Sequence, residues 1–155
     1  MIGDLIRKLS ALYGLKPEII AAVIYQESKG NPLAIRYEPD FYLKLEKRNR
    51  FNLSGYVPNA IPTLRSEKVF RSISWGLMQL MGETARVMGF RGDYLSALLD
   101  PETNIDLGCR YLKKLLTRSN ADYVSALRLY NGSKDYPPII FRHVESGDYE
   151  TILSL

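Results

Sequence analysis

Apolar residues recur at three- and four-residue spacing from the first turn of the chain. Ile2, Leu5, Ile6, Leu9, Leu12 and Tyr13 share one helical face, and Gly14 ends the run. A second helix is predicted from Pro17, at a first-turn position, to Ser28, with Gly30 and Pro32 as stop signals. Its stretch from Ile19 to Gln26 carries no charge, so the helix is apolar nearly all round, the mark of a buried element. Glu27 follows at its C-terminal end. Pro39 to Arg48 can form a short helix with Phe41, Tyr42 and Leu45 on one side. From Asn49 to Arg71 the signals are those of loops: Ser54-Gly55, Pro58-Asn59 and Pro62. Further helices are expected over Glu83–Met88, from Asp100-Pro101-Glu102 to about Thr117, from Asp122 to Tyr130, and onward from Pro137-Pro138. No strand pattern competes. The expectation is an all-α fold, one domain over residues 1–155, with an irregular or hairpin insertion around 49–71.

Composition narrows the function classes. At 46% hydrophobic and 25% charged residues the chain reads as a globular domain. No apolar run reaches the length of a membrane span, so stable membrane insertion is not expected. Cys109 is the single cysteine and His143 the single histidine, which leaves no set of ligands for a His/Cys metal site and no intramolecular disulfide. No metal or cofactor is expected. The net charge of +4 fits an anionic partner, and the positive residues gather between Arg36 and Arg71, interleaved with Tyr37, Phe41, Tyr42, Phe51 and Tyr56. That segment is either a solvated basic face or a binding surface. No recognition-helix pattern accompanies it, so nucleic acid is not the expected partner.

Glu27 is the candidate for chemistry. Burial and the negative end of a helix dipole both disfavour a charged carboxylate and raise its pKa, as a general acid at neutral pH requires. The alternative is a solvated Glu on the last exposed turn. Three sequence-distant pieces bear on the choice: Glu27-Ser28-Lys29-Gly30-Asn31-Pro32, then Ser74-Trp75-Gly76-Leu77-Met78-Gln79, then Ala126 to Gly132 with Tyr130-Asn131-Gly132. In this order they resemble the motifs of the soluble lytic transglycosylase (SLT) domain, the goose-lysozyme-like glycoside hydrolase family 23. The helix opening at Asp100-Pro101-Glu102-Thr103-Asn104-Ile105, with Gly108 and Tyr111-Leu112, resembles the family's segment between its second and third motifs. The resemblance spans roughly residues 10–133.

That resemblance implies a lysozyme-like helical fold and cleavage of the β-1,4 bond between N-acetylmuramic acid and N-acetylglucosamine in peptidoglycan. A single Glu, here Glu27, would act first as acid and then as base, closing a 1,6-anhydro ring. Tyr130 would hydrogen-bond near Glu27, and Gln79 would line the groove, with Gly76 allowing close approach. Ser74 and Asn131 join them as substrate-binding candidates, with Ser72 competing for the place of the family's serine. Each has a structural alternative: Tyr130 a core aromatic, Gln79 a tie between backbone segments, Asn131 a helix stop. The stretch from Pro32 to Ser74 is longer than the family pattern and carries Glu38, a candidate second carboxylate. Inverting hydrolysis, as in goose-type lysozymes, needs two carboxyls roughly 6.5–9.5 Å apart to hold a water. Glu38 reads equally as an ion-pair partner of Arg36 or a neighbouring Lys. Two other functions remain open, a hydrolytic muramidase on the same fold and a non-catalytic glycan-binding module. The expected partner is the glycan strand, met by a monomer at the bacterial cell wall. Met1 to Leu5 reads as an amphipathic helix rather than a signal peptide, so the expected delivery is by phage lysis, as an endolysin, or by a secretion machine, unless an export segment has been lost.

Overall fold

The computed structural model describes residues 1–48, 53 and 63–155. Two apolar clusters organise it. The larger is helical. Helix α1 (Ile2–Tyr13) ends at Gly14, whose φ of 61° provides the left-handed stop. Helix α2 (Pro17–Ser28) runs through the middle, with Ile20, Ala21, Ala22, Val23 and Ile24 fully buried. This is the outcome the uncharged run predicts: a helix with no polar face has to be surrounded. Around it pack α6 (Pro101–Arg118), α7 (Tyr123–Asn131), α8 (Tyr136–Ser146) and α9 (Glu150–Leu153). Asp100 caps α6 by accepting from Thr103 N at 2.9 Å, and Asp122 caps α7 by accepting from Val124 N and Ser125 N.

The smaller cluster contains Trp75, Leu80, Ala85, Leu95, Leu98 and Leu107. It sits among α4 (Leu64–Arg71), α5 (Gly82–Val87), a 3₁₀ turn at Leu95–Leu99 and a three-stranded antiparallel sheet. The strands are β1 (Ile35–Tyr37), β2 (Ile73–Trp75) and β3 (Leu80–Met81), in the order β1-β2-β3. Arg36 pairs with Ser74, and Ser74 with Met81. Helix α3 (Pro39–Glu46) follows β1.

The helical architecture agrees with expectation, and the sheet is an addition to it. Leu64–Arg71, expected as loop, is a helix capped by Thr63, whose hydroxyl accepts from Ser66 N. The expected irregular or hairpin character of residues 49–52 and 54–62 lies outside the described residues. The basic segment also departs from a solvated face, because part of it turns inward. Arg71 is fully buried, donating from Nε to Glu67 at 2.9 Å and from Nη1 to Glu83 at 2.7 Å. Arg86, also buried, donates to both oxygens of Glu67. Lys68 is buried too and donates to Glu46 O.

Candidate active site

Helix α2 delivers Glu27 from the helical cluster to the boundary with the sheet. The helix stops at Ser28 because the next two residues, Lys29 and Gly30, adopt positive φ, 53° and 80°. Glu27 is half-buried. Burial pushes its pKa up, while a hydrogen bond from Tyr136, the positive charge of Arg36 and an interaction with the Asn131 amide pull it part of the way back. The net direction is upward, so the proton is held to higher pH than on a solvated Glu. The Tyr136 hydroxyl donates to Glu27 Oε1 at 2.7 Å.

Glu27 faces a cavity of about 330 Å³ whose walls include Arg36, Glu38, Ser74, Gln79, Tyr130 and Asn131. A second cavity of about 240 Å³ also borders it, with Gln26, Ser133, Asp135 and Tyr136 in its walls. Glu27, Arg36 and Asn131 border both. The helical cluster supplies Glu27, Tyr130, Asn131 and Tyr136, and the sheet with its flanks supplies Arg36, Glu38, Ser74 and Gln79.

Of the residues singled out by sequence, Ser74, Gln79, Glu38, Tyr130 and Asn131 share the larger cavity with Glu27. Several have a different immediate partner from the one expected. Tyr130 donates to Met78 O at 2.8 Å, and the hydroxyl bonded to Glu27 is that of Tyr136. The rings of Tyr130 and Tyr136 stack with centroids 6.4 Å apart, which keeps Tyr130 beside the carboxylate without touching it through its hydroxyl. Burial and the nearby Glu27 charge both push the Tyr130 and Tyr136 phenols well up, so each remains a donor.

Gln79 lines the cavity and also ties backbone together, its amide donating to Ala34 O and Gly76 O at 3.0 Å. Gly76 leaves room for protein rather than sugar: with φ of 69°, a Cβ there would lie 2.6 Å from the Asn104 amide nitrogen and 2.7 Å from Leu98 O. Of the competing serines, Ser74 borders the cavity, whereas Ser72 donates to Val69 O. Glu38 pairs with Arg36 Nε at 2.6 Å and is still open to the cavity. The stop of α7 is Gly132, at φ 88°, which leaves the Asn131 side chain available.

Two residues of the site lack a local sequence signal. Tyr136 reads only as the residue before Pro137-Pro138, and it reaches Glu27 because α8 packs against α2. Arg36 reads as one of a basic group, and its strand of three residues is too short to show alternation. Ser28 and Asn104 act behind the site. Ser28 Oγ donates to Leu77 O at 2.8 Å. Asn104 accepts from Met78 N and donates to Trp75 O and Leu98 O.

Residues 4–135 match the Transglycosylase SLT domain, and the chain belongs to that family. It is also similar to the membrane-bound lytic murein transglycosylase C of Pectobacterium atrosepticum, with 26% identity over 173 aligned positions. That alignment covers 96% of this chain but 39% of the relative, so the chain spans well under half of the relative's length. No solved structure matches the chain. Tyr136 lies one residue beyond the family match.

Proposed function

We propose that the protein cleaves the glycan strands of peptidoglycan as a lytic transglycosylase, working as one catalytic domain and as a monomer at the bacterial cell wall. The observation that carries this reading is Glu27: a carboxyl with raised pKa, held by Tyr136, at the border of two cavities. A carboxyl in that state can donate a proton and then recover one. Glu27 protonates O4, the oxygen between N-acetylmuramic acid C1 and N-acetylglucosamine C4, and the C1–O4 bond breaks. The resulting Glu27 carboxylate removes the proton of the muramoyl C6 hydroxyl, whose oxygen bonds to C1. The ring closes as a 1,6-anhydro sugar, no water is consumed and Glu27 regains its proton. The reaction so written uses no metal or cofactor. Among the described residues no helix is long and apolar enough to cross a membrane.

A second reading has one specific observation in its favour. Glu38 borders the same cavity as Glu27 and could activate a water for inverting hydrolysis. Mass spectrometry of fragments released from purified peptidoglycan separates the two. Anhydro ends, retained in Glu38→Gln and lost in Glu27→Gln, are the expected result. Reducing ends together with an inactive Glu38→Gln would make the protein a two-carboxylate muramidase. Turnover by Glu27→Gln at the wild-type rate would remove Glu27 from the chemistry.

A further inference from the structure

Arg36 occupies a place that neither half of the glycosidic chemistry requires. It sits at the centre of β1, opposite Ser74, and its neighbours Ile35 and Tyr37 project to the other face of the strand and are exposed. Its guanidinium borders both cavities beside Glu27. Its Nε is taken by Glu38 at 2.6 Å, while its two terminal amines have no hydrogen-bond partner among the described residues. The side chain is 59% exposed, so those amines are accessible from the cleft. A guanidinium with one edge committed and the other free presents a planar two-donor fork, the geometry that carboxylates match. The walls around it hold acids, Glu38 in one cavity and Asp135 in the other. An anion would therefore be drawn to this one group rather than to a general positive field.

The glycan has two kinds of repeating sugar, and only one carries acids. N-acetylglucosamine is neutral. N-acetylmuramic acid bears a lactyl ether whose carboxyl is free in a peptide-free strand and is an amide when a peptide is attached. The attached peptide then brings carboxylates of its own. We propose that Arg36 is a specificity-determining residue that takes a carboxylate of the muramoyl substituent at the junction of the two cavities, and so sets which sugar is presented to Glu27. Glu38 is the internal competitor for the same guanidinium. This proposal rests on the glycan-cleaving reading above, and its test uses binding so that the two can fail separately.

The test is done in the full chain carrying Glu27→Gln, so that bound glycan is not consumed. Three probes are titrated: a hexamer of N-acetylglucosamine, peptide-free glycan strands and peptide-bearing strands. Adding Arg36→Gln should weaken carboxylate-bearing glycan about 5- to 20-fold, the range for a charge-assisted pair that stays partly wet, and leave the neutral hexamer within about twofold. Loss confined to peptide-free strands identifies the lactyl carboxylate, and loss confined to peptide-bearing strands identifies a peptide carboxylate. Arg36→Lys, which keeps the charge but not the fork, should give an intermediate loss. Glu38→Gln frees the guanidinium and should tighten carboxylate-bearing glycan about two- to fivefold, an effect that misfolding cannot imitate. Equal weakening of all three probes, or of none, overturns the proposal. Failure of the wild-type chain to release any fragment from peptidoglycan would instead sink the glycan-cleaving reading, whatever the affinities show.

Discussion

Glu27 is held between opposing influences, and their balance sets where it gives up its proton. Burial favours the neutral acid, while the Tyr136 hydroxyl and the Arg36 charge favour the carboxylate. Because the net shift is upward, the acid form from which the proposed reaction starts survives to higher pH and is lost as pH rises through the raised pKa. Tyr136→Phe removes a donor that serves the charged form. The Glu27 pKa should then rise further, moving the alkaline limb of the rate–pH profile to higher pH. Turnover at the optimum should fall roughly 10- to 100-fold, because the carboxyl loses the contact that orients it. A profile that stays in place, or moves to lower pH, would contradict this account of Tyr136. Glu27 stood out in the sequence through the three motifs taken together, because its place at the end of an uncharged helix fits a solvated Glu as well. Its partner was not: Tyr136 lies 109 residues away in sequence and meets it only through helix packing.

The elements read from sequence divide by what they bury. Helices with apolar inner faces, α1, α2, α6, α7 and α8, lie close to their expected bounds. Helix α4 was hidden because its buried positions are Glu67, Lys68 and Arg71, charges at helical spacing where the pattern calls for apolar residues. A reading based on apolar periodicity sees a loop there. The sheet was hidden for another reason: strands of two or three residues are too short to display alternation. The ion network explains how the charges are tolerated. Glu67 receives Arg71 and a two-point contact from Arg86, with Arg71 also donating to Glu83. Glu67→Gln withdraws the negative charge shared by two buried guanidinium groups, and should cost about 3–5 kcal/mol of stability by urea unfolding. A loss below about 1 kcal/mol would mean that the network is dispensable to the fold and that α4 is held by its apolar contacts alone.

At the scale of the whole molecule, the site lies where the helical cluster meets the sheet cluster, and the turn from Gly76 to Gln79 joins them. Three side chains of the helical cluster hold that turn by its backbone: Ser28 at Leu77 O, Asn104 at Met78 N and Tyr130 at Met78 O. The Met78 side chain also fills the space left by Gly108, where a Cβ would lie 2.3 Å from its sulfur. Motif residues expected at the substrate thus also fix the two halves of the cleft relative to each other, a role that sequence order alone does not display. Tyr130→Phe tests it against Tyr136→Phe. Removing the Tyr130 hydroxyl leaves Met78 O without its side-chain donor and should cost about 1–2 kcal/mol of stability. Turnover should fall as well, because the wall carrying Gln79 is no longer held at its distance from Glu27. The rate–pH profile should keep its shape, since Tyr130 makes no hydrogen bond to Glu27. If instead Tyr130→Phe moves the alkaline limb as Tyr136→Phe is expected to do, its hydroxyl acts on the carboxyl directly during the reaction, and the contact with Met78 O is the resting arrangement of a group that turns toward Glu27 when glycan is bound.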